Sequence, residues 1–344
     1  MTVTEIASPW LTDLDPRAVD EVVARLQDAA DHGRTVVIAA HIGPDGDALG
    51  AALALHLALS RRGARTLPTW GEEPLRVPAA YADLPGIDDL VAPSDIPVDE
   101  VDLLVSVDSA SVSRLGALQP LLAAGAPVIV IDHHPTNTRF GTVHLVAARA
   151  AATVVIVDEL LRRLDVDLDV DLATCLYVGL VTDTGRFQHA TTDRAAMELG
   201  GRLIEAGVAH EELTRRLFGT RTVGELTLLA RALERLTFVP EARLVHAHVT
   251  AEDATEAGAG LEATEAIIDV VRTADVAEVA MVGRQETTGA WRISLRSRGA
   301  IDVGVVAARF DGGGHERAAG FTAEGTFDEV VDRLVAVLEE VRGG

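Results

Sequence analysis

The sequence predicts a two-domain α/β protein. An N-terminal, mainly parallel sheet flanked by helices comes first, then a helical connector and a smaller C-terminal α/β domain. Three observations carry this. Short apolar runs alternate with longer helical patterns through the first half of the chain, the pattern of strands buried on both faces by crossover helices. At 344 residues the chain is long for one domain. After a charged helical stretch beginning near residue 192, the alternation starts again. The boundaries that follow are 1–191 for the first domain, 192–237 for the connector and 238–344 for the second domain.

Taken in order, residues 16–32 read as an amphipathic helix and Thr35–Ala40 as a buried strand. Asp47–Arg62 is a helix that stops near Gly63, and Ala64–Pro68 is the next strand. Residues 71–101 mix Pro, Gly and Asp and read as loop. Leu103–Val107 and Val128–Ile131 are two more buried strands, separated by a helical segment, Ser113–Ala124. Helices follow at 151–164 and 171–181, and the pattern from 192 to 237 is helical with charged faces. The second domain holds strand Leu244–Val249, helix Glu262–Arg272 and strands Val276–Arg284 and Trp291–Arg296 across a Thr-Thr-Gly turn. Helix Val303–Phe310 and a terminal helix over 327–341 complete it. Between those two helices run Asp311-Gly-Gly-Gly-His315, read as a loop, and Ala318-Ala-Gly320.

Composition excludes several classes. Hydrophobic content of 48% supports folded cores, and with aromatics at 3% those cores are mostly Ala, Val and Leu. A formal charge of −23 argues against a protein that coats long nucleic acid, which needs a basic face. A small anionic substrate stays compatible, because bound divalent cations reverse the local field of an aspartate cluster. The single Cys175 excludes a disulfide framework and fits a reducing compartment. The first ten residues have no basic leader pattern, and the longest apolar stretch, Leu49–Leu59, is interrupted by His56 and falls short of a bilayer span. A cytoplasmic protein with no membrane partner is expected.

Four motifs carry the chemistry: His41-Ile-Gly-Pro-Asp45-Gly-Asp47, Val105-Ser-Val-Asp108-Ser, Asp132-His133-His134 and Thr182-Asp183-Thr184-Gly185. Each sits where an apolar strand or helix meets a turn. Their donors are carboxylates and imidazoles with no thiolate, which suits Mn²⁺ or Mg²⁺ better than structural zinc. The set is large enough for two cations sharing a carboxylate, a recurring arrangement in phosphoester hydrolysis. Each motif also has a plainer reading. Asp47 can cap the helix that follows it, Asp108 can be a turn residue, and Asp183 can close a helix. His133 and His134, adjacent at a strand end, are expected to point to opposite sides, one to metal and one to substrate. His56 reads as core. His32, His144, His210, His246 and His248 lack ligand spacing. His189 follows Asp183 closely enough to line a cleft, and Arg139 suits either a substrate phosphate or plain surface.

Taken together, His41-x-x-x-Asp45-x-Asp47, Asp108, Asp132-His133-His134 and Asp183, followed by Gly312-Gly-Gly-His315 and Ala318-Ala-Gly320, resemble the DHH phosphoesterase superfamily. The closer likeness is to the subfamily with a C-terminal DHH-associated domain, which hydrolyses short oligoribonucleotides, phosphoadenosine phosphate and, in some members, cyclic dinucleotides. The resemblance spans roughly residues 20–335. It implies that His41, Asp45 and Asp108 bind one cation, and that Asp47, Asp108, His133 and Asp183 bind a second, with Asp108 bridging. It implies that His134 contacts the scissile phosphate or protonates the leaving oxygen, with Asp132 orienting the histidines. Ser294, Arg296, Ser297, Gly313, Gly314 and His315 match its substrate-binding part, and Asp311 stands where a fourth glycine is common. Two divalent ions per chain are implied, Mn²⁺ foremost, with Mg²⁺ and Co²⁺ as alternatives. A homodimer is implied too, with the site in a cleft between domains and short RNA, pAp, pApA or cyclic di-AMP as substrate rather than long nucleic acid. A single-stranded DNA exonuclease of the same superfamily is the first rival, but it would want a basic track and stacking aromatics. An inorganic pyrophosphatase is opposed by the Gly-Gly-Gly-His segment. A non-catalytic nucleotide sensor is opposed by the presence of every ligand position.

Overall fold

The computed structural model describes residues 9–259 and 265–343. The chain divides into two compact units, Met1–Gly219 and Thr220–Gly344.

The first unit opens with α1 (Pro16–Asp31), whose N-cap Asp15 accepts the Arg17 N–H and whose first turn holds a proline. Next come β1 (Thr35–Ala40), α2 (Gly46–Arg61) and β2 (Arg65–Trp70). Residues 71–101 contribute only short 3₁₀ turns, as the Pro, Gly and Asp content predicts. Then follow β3 (Leu103–Val107), β4 (Val128–Asp132) and β5 (Val143–Val146). Four helices complete the unit: α3 (Thr153–Arg163), α4 (Val170–Asp183), α5 (Arg194–Glu205) and α6 (His210–Phe218). The strands order β2-β1-β3-β4-β5, every pair parallel. Every residue of β1, β3 and β4 is buried, as unbroken apolar runs require of strands covered on both faces. The order reverses between β1 and β3. At such a switch point the connections leave in opposite directions and open a crevice at the carboxyl ends of the strands.

Two details depart from the sequence reading. The segment expected as a helix over 113–124 is 3₁₀, Val112–Ala123, broken at Gly116 (φ 51, ψ −125) and containing Pro120. A proline lacks the N–H that an α-helix interior needs. The strand β5 was not anticipated, because Val-His-Leu-Val is only four residues long and is interrupted by His144.

In the second unit come α7 (Val223–Glu234), β6 (Thr237–Val239), β7 (Leu244–Val249), α8 (Ala251–Ala257) and α9 (Glu265–Val271). They precede β8 (Val279–Gln285), β9 (Trp291–Ser297), α10 (Val303–Ala308), β10 (Gly313–His315), β11 (Ala318–Ala323) and α11 (Phe327–Gly343). The expected start of α9 at residue 262 lies outside the described residues. The sheet orders β10-β11-β9-β8-β7-β6, and only β7 with β8 is parallel. The glycine run is therefore a strand and not a loop. Gly314 takes φ 147, and a Cβ there would stand 2.4 Å from the Ala319 Cα, so the hairpin with β11 closes only around glycine. Asp311 takes φ 57, a left-handed conformation that glycine adopts freely and aspartate tolerates better than most. That is why a glycine suits this position and why this aspartate fits. Among the described residues no helix is long and apolar enough to cross a membrane.

Candidate metal centre

Three neighbouring strands deliver the first residues. His41 follows β1, Asp108 follows β3, and Asp132 ends β4 with His133 and His134 behind it. Asp108 leaves its strand in the left-handed region (φ 54), which turns its carboxylate away from the strand path while its N–H stays bonded to the Ile131 carbonyl at 2.9 Å. Two helix ends supply the rest. Asp45 and Asp47 stand at the N-terminus of α2, and Asp183 is the last residue of α4. Those helices approach closely because glycines face the contact. A Cβ on Gly50 would lie 2.4 Å from the Cys175 carbonyl oxygen, and one on Gly179 3.0 Å from Asp47 Oδ1.

The side chains converge in three overlapping groups: His41, Asp45 and Asp108; Asp47, His133 and Asp183; and Asp108, His133 and His134. Within each group the donor atoms lie within 4.8 Å of one another. His41 Nε2 is 3.9 Å from Asp45 Oδ1 and 3.5 Å from Asp108 Oδ2. His133 Nε2 is 3.2 Å from Asp183, 3.7 Å from Asp108 Oδ1 and 3.9 Å from Asp47. Most of these separations exceed a hydrogen bond, yet they are close enough for the atoms to share a cation. Both rings also carry a backbone carbonyl near Nδ1: Ile42 O at 2.8 Å from His41 and Ala150 O at 3.2 Å from His133. A proton held there leaves each Nε2 lone pair facing the carboxylates, the usual outer-sphere device of a metal-binding histidine. This donor set of carboxylate oxygens and imidazoles, with no thiolate, fits divalent cations.

Electrostatics point the same way. Burial, then the charges of Asp108, Asp183 and Asp45, push the Asp47 carboxyl well above the usual range, against the hydrogen bond from the Val154 N–H. Asp183 is pushed up to about 6 by burial, with His133 opposing and Asp108 adding. Asp108 is buried too, but the neighbouring rings, His41 first and then His133 and His134, bring it down to about 2. His41 is raised: burial pulls it down, and Asp108 with Asp45 more than offsets that. Burial likewise opposes His134, which Asp132 and then Asp108 lift to about 9. Several buried carboxylates facing one space repel one another, and added positive charge relieves that.

Local capping differs from expectation. Asp45, not Asp47, is the N-cap of α2, accepting the Asp47 and Ala48 N–H groups at 3.0 and 3.1 Å. Asp47 instead caps a different helix, α3, accepting from Thr153 N at 2.5 Å and Val154 N at 2.9 Å. His133 and His134 do not diverge either. Their rings meet edge to face at 4.8 Å, and both present a nitrogen to Asp108. The strand ends at Asp132, so side-chain alternation does not extend past it. Asp132 is fully buried and accepts from His134 Nδ1 at 2.7 Å and Asn137 Nδ2 at 2.6 Å.

Sequence reading missed four residues here. Thr153 joins the two central carboxylates, donating its N–H to Asp47 and its hydroxyl to Asp108 Oδ1 at 2.9 Å. Asn137 steadies Asp132 and also donates to the Ser109 carbonyl. Arg114 places Nη2 2.7 Å from His41 Nδ1. Tyr81 stands near Asp45, its hydroxyl pushed up to about 12 by burial and that charge. None lies in a recognisable motif; the only available signal was proximity to one. Arg139 is exposed, in a turn at φ 51 that begins with Asn137. His189 is bonded through Nδ1 to the Asp183 carbonyl at 2.9 Å. His56 is buried and bonded to Thr66 and Asp89, as a core histidine should be.

In the second unit, register aligns Gly313 with Gly320 and Gly320 with Ser294, and aligns His315 with Ala318 and Ala318 with Arg296. Ser294 and Arg296 thus share one face of β9. Ser297 does not join them. Strand parity puts it on the opposite, buried face, where its hydroxyl accepts the Gly299 N–H at 3.4 Å. The His315 side chain lies outside what the structure describes.

The switch-point sheet with its cluster of acids and imidazoles, and the mixed-sheet unit that follows it, are the plan of a two-domain α/β hydrolase. Comparison with known proteins narrows the class. Residues 35–180 match the DHH family, N-terminal domain, and residues 244–342 match the DHHA1 domain. The chain belongs to the DHH family of phosphoesterases and is a hydrolase of that kind. The bifunctional oligoribonuclease and PAP phosphatase NrnA of Thermus thermophilus is 33% identical over 313 residues, covering 89% of each chain. Its namesake in Bacillus subtilis is 26% identical over 323 residues, covering 89% of this chain and 94% of that one. Among solved structures, an exopolyphosphatase-related protein from Bacteroides fragilis superposes with a TM-score of 0.88 at 23% identity, covering 96% of this chain and 97% of that one. RecJ of Thermus thermophilus in complex with Mn²⁺ gives 0.55 at 17% identity, with 95% of this chain aligned to 55% of that one. These two share the fold.

Proposed function

We propose that the protein hydrolyses short oligoribonucleotides and small nucleotide phosphates, 3′-phosphoadenosine 5′-phosphate and pApA foremost, in a reaction that depends on divalent cations. Cyclic di-AMP is a further substrate of the same chemistry. The observation that carries this reading is the placement of Asp108. One carboxylate lies 3.5 Å from His41 Nε2 and 3.7 Å from His133 Nε2, so it can be shared between two ligand groups. The names of the Thermus and Bacillus relatives, oligoribonuclease and PAP phosphatase, support the substrate class.

In this reading His41, Asp45 and Asp108 hold one cation, and Asp47, Asp108, His133 and Asp183 hold the other. Mn²⁺ is the proposed metal. Bound there, two cations supply a lowered pKa for a water and positive charge against the phosphoryl oxygens. The chain's own residues do the rest. Asp132 holds His134 Nδ1 at 2.7 Å and favours the protonated ring. In this reading His134 donates a hydrogen bond to the phosphate and then a proton to the departing oxygen. Asp132, fixed by Asn137, keeps that ring in register. Thr153 keeps Asp47 and Asp108 at a fixed separation. In the second unit Arg296, Ser294, His315 and the backbone of Gly313 and Gly314 hold the nucleotide. A Cβ on Gly313 would meet nothing within 4 Å, so an anion has room to approach that backbone. The proposed working form is a cytoplasmic homodimer, for which the family resemblance is the support.

The test is a panel of pAp, pApA, di- to pentaribonucleotides, cyclic di-AMP and a long single strand, with purified protein loaded with Mn²⁺ and again after chelation. Release of mononucleotide or phosphate from the short substrates, lost on chelation and lost in Asp108→Ala, is expected. Turnover that survives chelation, or an Asp108→Ala variant keeping a tenth of the activity, would overturn the reading.

A further inference from the structure

His41 Nδ1 has two neighbours that cannot both be satisfied. The Ile42 carbonyl oxygen lies 2.8 Å away and requires an N–H at Nδ1. The Arg114 Nη2 lies 2.7 Å away and requires a lone pair there, since guanidinium carries donors only. The choice between them is made at the far side of the ring. If Nε2 gives its lone pair to a cation, as the proposed function asks, the neutral ring holds its single proton on Nδ1. Ile42 then keeps its hydrogen bond, and the Arg114 N–H faces another N–H and must leave.

We propose that Arg114 is a substrate-phosphate residue, released from His41 when the ring commits its Nε2 to a cation and then free to grip an oxygen of the phosphoryl group bound at that cation. The inference rests on the functional reading above. Four observations support it. Arg114 is an exposed residue, so solvent can take its place beside His41. It lies in the 3₁₀ segment just after β3, so its reach is to the same sheet edge as Asp108. Among the described residues its side chain has no carboxylate partner, its one side-chain hydrogen bond being the one to His41. That is unusual in a chain with 53 acidic and 30 basic residues, where most guanidiniums find an acid. Finally, its backbone is anchored: its carbonyl accepts the Ile42 N–H at 2.9 Å, which ties the base of the side chain to the turn that carries His41. A planar fork on a fixed base suits a phosphate bidentately.

The proposal separates metal binding from anion binding, so the test measures each without turnover. Calorimetry gives the Mg²⁺ affinity of the full-length protein and of Arg114→Ala and Arg114→Lys. A second titration adds inorganic phosphate, and then AMP, the two products expected from pAp, to the Mg²⁺-saturated forms. Arg114→Ala is expected to bind Mg²⁺ at least as tightly as the wild type, because a competitor for the His41 proton arrangement is gone. It is expected to bind phosphate and AMP 10- to 100-fold more weakly, with Arg114→Lys in between. Nitrogen-15 shifts of the His41 ring should report a protonated Nδ1 in the Mg²⁺-loaded wild type. Two results would overturn the inference: Mg²⁺ affinity falling tenfold in Arg114→Ala, which would make the arginine a prop for His41, or phosphate affinity unchanged in both variants. Failure of the functional reading looks different: there the wild type itself binds phosphate under Mg²⁺ but turns over no short nucleotide.

Discussion

At the scale of single residues, the centre is held by groups that are not themselves proposed ligands, and Thr153 is the clearest. Its N–H and hydroxyl reach two different carboxylates, Asp47 and Asp108. Thr153→Val keeps the shape and removes only the hydroxyl, so Asp108 loses a buried donor. Metal affinity is expected to fall about 10- to 100-fold, the usual effect of losing an outer-sphere partner, and Thr153→Ser is expected to restore it. A metal titration in which valine and serine behave alike would refute the role. Proton linkage gives a second prediction. Folding raises Asp183 to about 6 and raises Asp47 as well. A carboxyl with a raised folded pKa favours folding below its ordinary range, and that advantage disappears as pH climbs through the folded value. A cation must also displace the proton. Both effects have the same sign: the rise in melting temperature given by Mn²⁺ should be small at pH 5 and grow through pH 6 to 7. A gain that shrank over that window would contradict the pairing. The sequence revealed the residues proposed to bear on metal, because His, Asp and Gly in those spacings are rare together. It did not reveal Thr153, Asn137 or Arg114, whose types are common and whose roles depend on contacts far along the chain.

At the scale of elements, the site exists because two helices, α2 and α4, come closer than most side chains allow. Asp47 and Asp183 stand at the start of one and the end of the other, and Gly50 and Gly179 line the approach. Gly50→Ala would set a Cβ 2.4 Å from the Cys175 carbonyl oxygen, a backbone atom that cannot rotate away. Overpacking of this kind costs about 1–3 kcal/mol, and the helices must part to absorb it. The expected result is a lower melting temperature together with weaker metal binding, read by calorimetry and metal titration on the same sample. Normal metal affinity in a destabilised variant would show that α2 and α4 do not set the ligand spacing. Elements with a strong period were legible: β1, β3 and Leu244–Val249 fall where their apolar runs place them. Elements made by partners were not. The strands β10 and β11 are glycine- and alanine-rich, and only the pairing of β10 with β11 and of β11 with β9 makes them strands. The 3₁₀ segment after β3 has a helical composition that Gly116 and Pro120 break.

At the scale of the whole molecule, charge sets what the site can hold. With a net charge of −23 and aromatics at 3%, the chain offers little attraction for phosphates remote from the cations and few rings on which successive bases could stack. In the proposed function, substrate grip comes from a few local contacts and from bound cations. This predicts a length limit: di- to about pentanucleotides should be degraded with a kcat/KM at least about tenfold above that of a long single strand, since each added phosphate beyond the site brings repulsion without a partner. It also predicts a shallow salt response. For single strands the logarithm of affinity falls by about 0.7 per phosphate contact for each tenfold rise in salt. Two contacts would lose less than about tenfold between 50 and 200 mM salt, whereas a protein that tracks eight phosphates would lose about a thousandfold. Measuring KM for a trinucleotide and a long strand across that range, at saturating Mn²⁺, separates the two designs. A steep slope with comparable turnover of the long strand would mean an extended binding track, and would favour an exonuclease over an enzyme that clears the last few nucleotides.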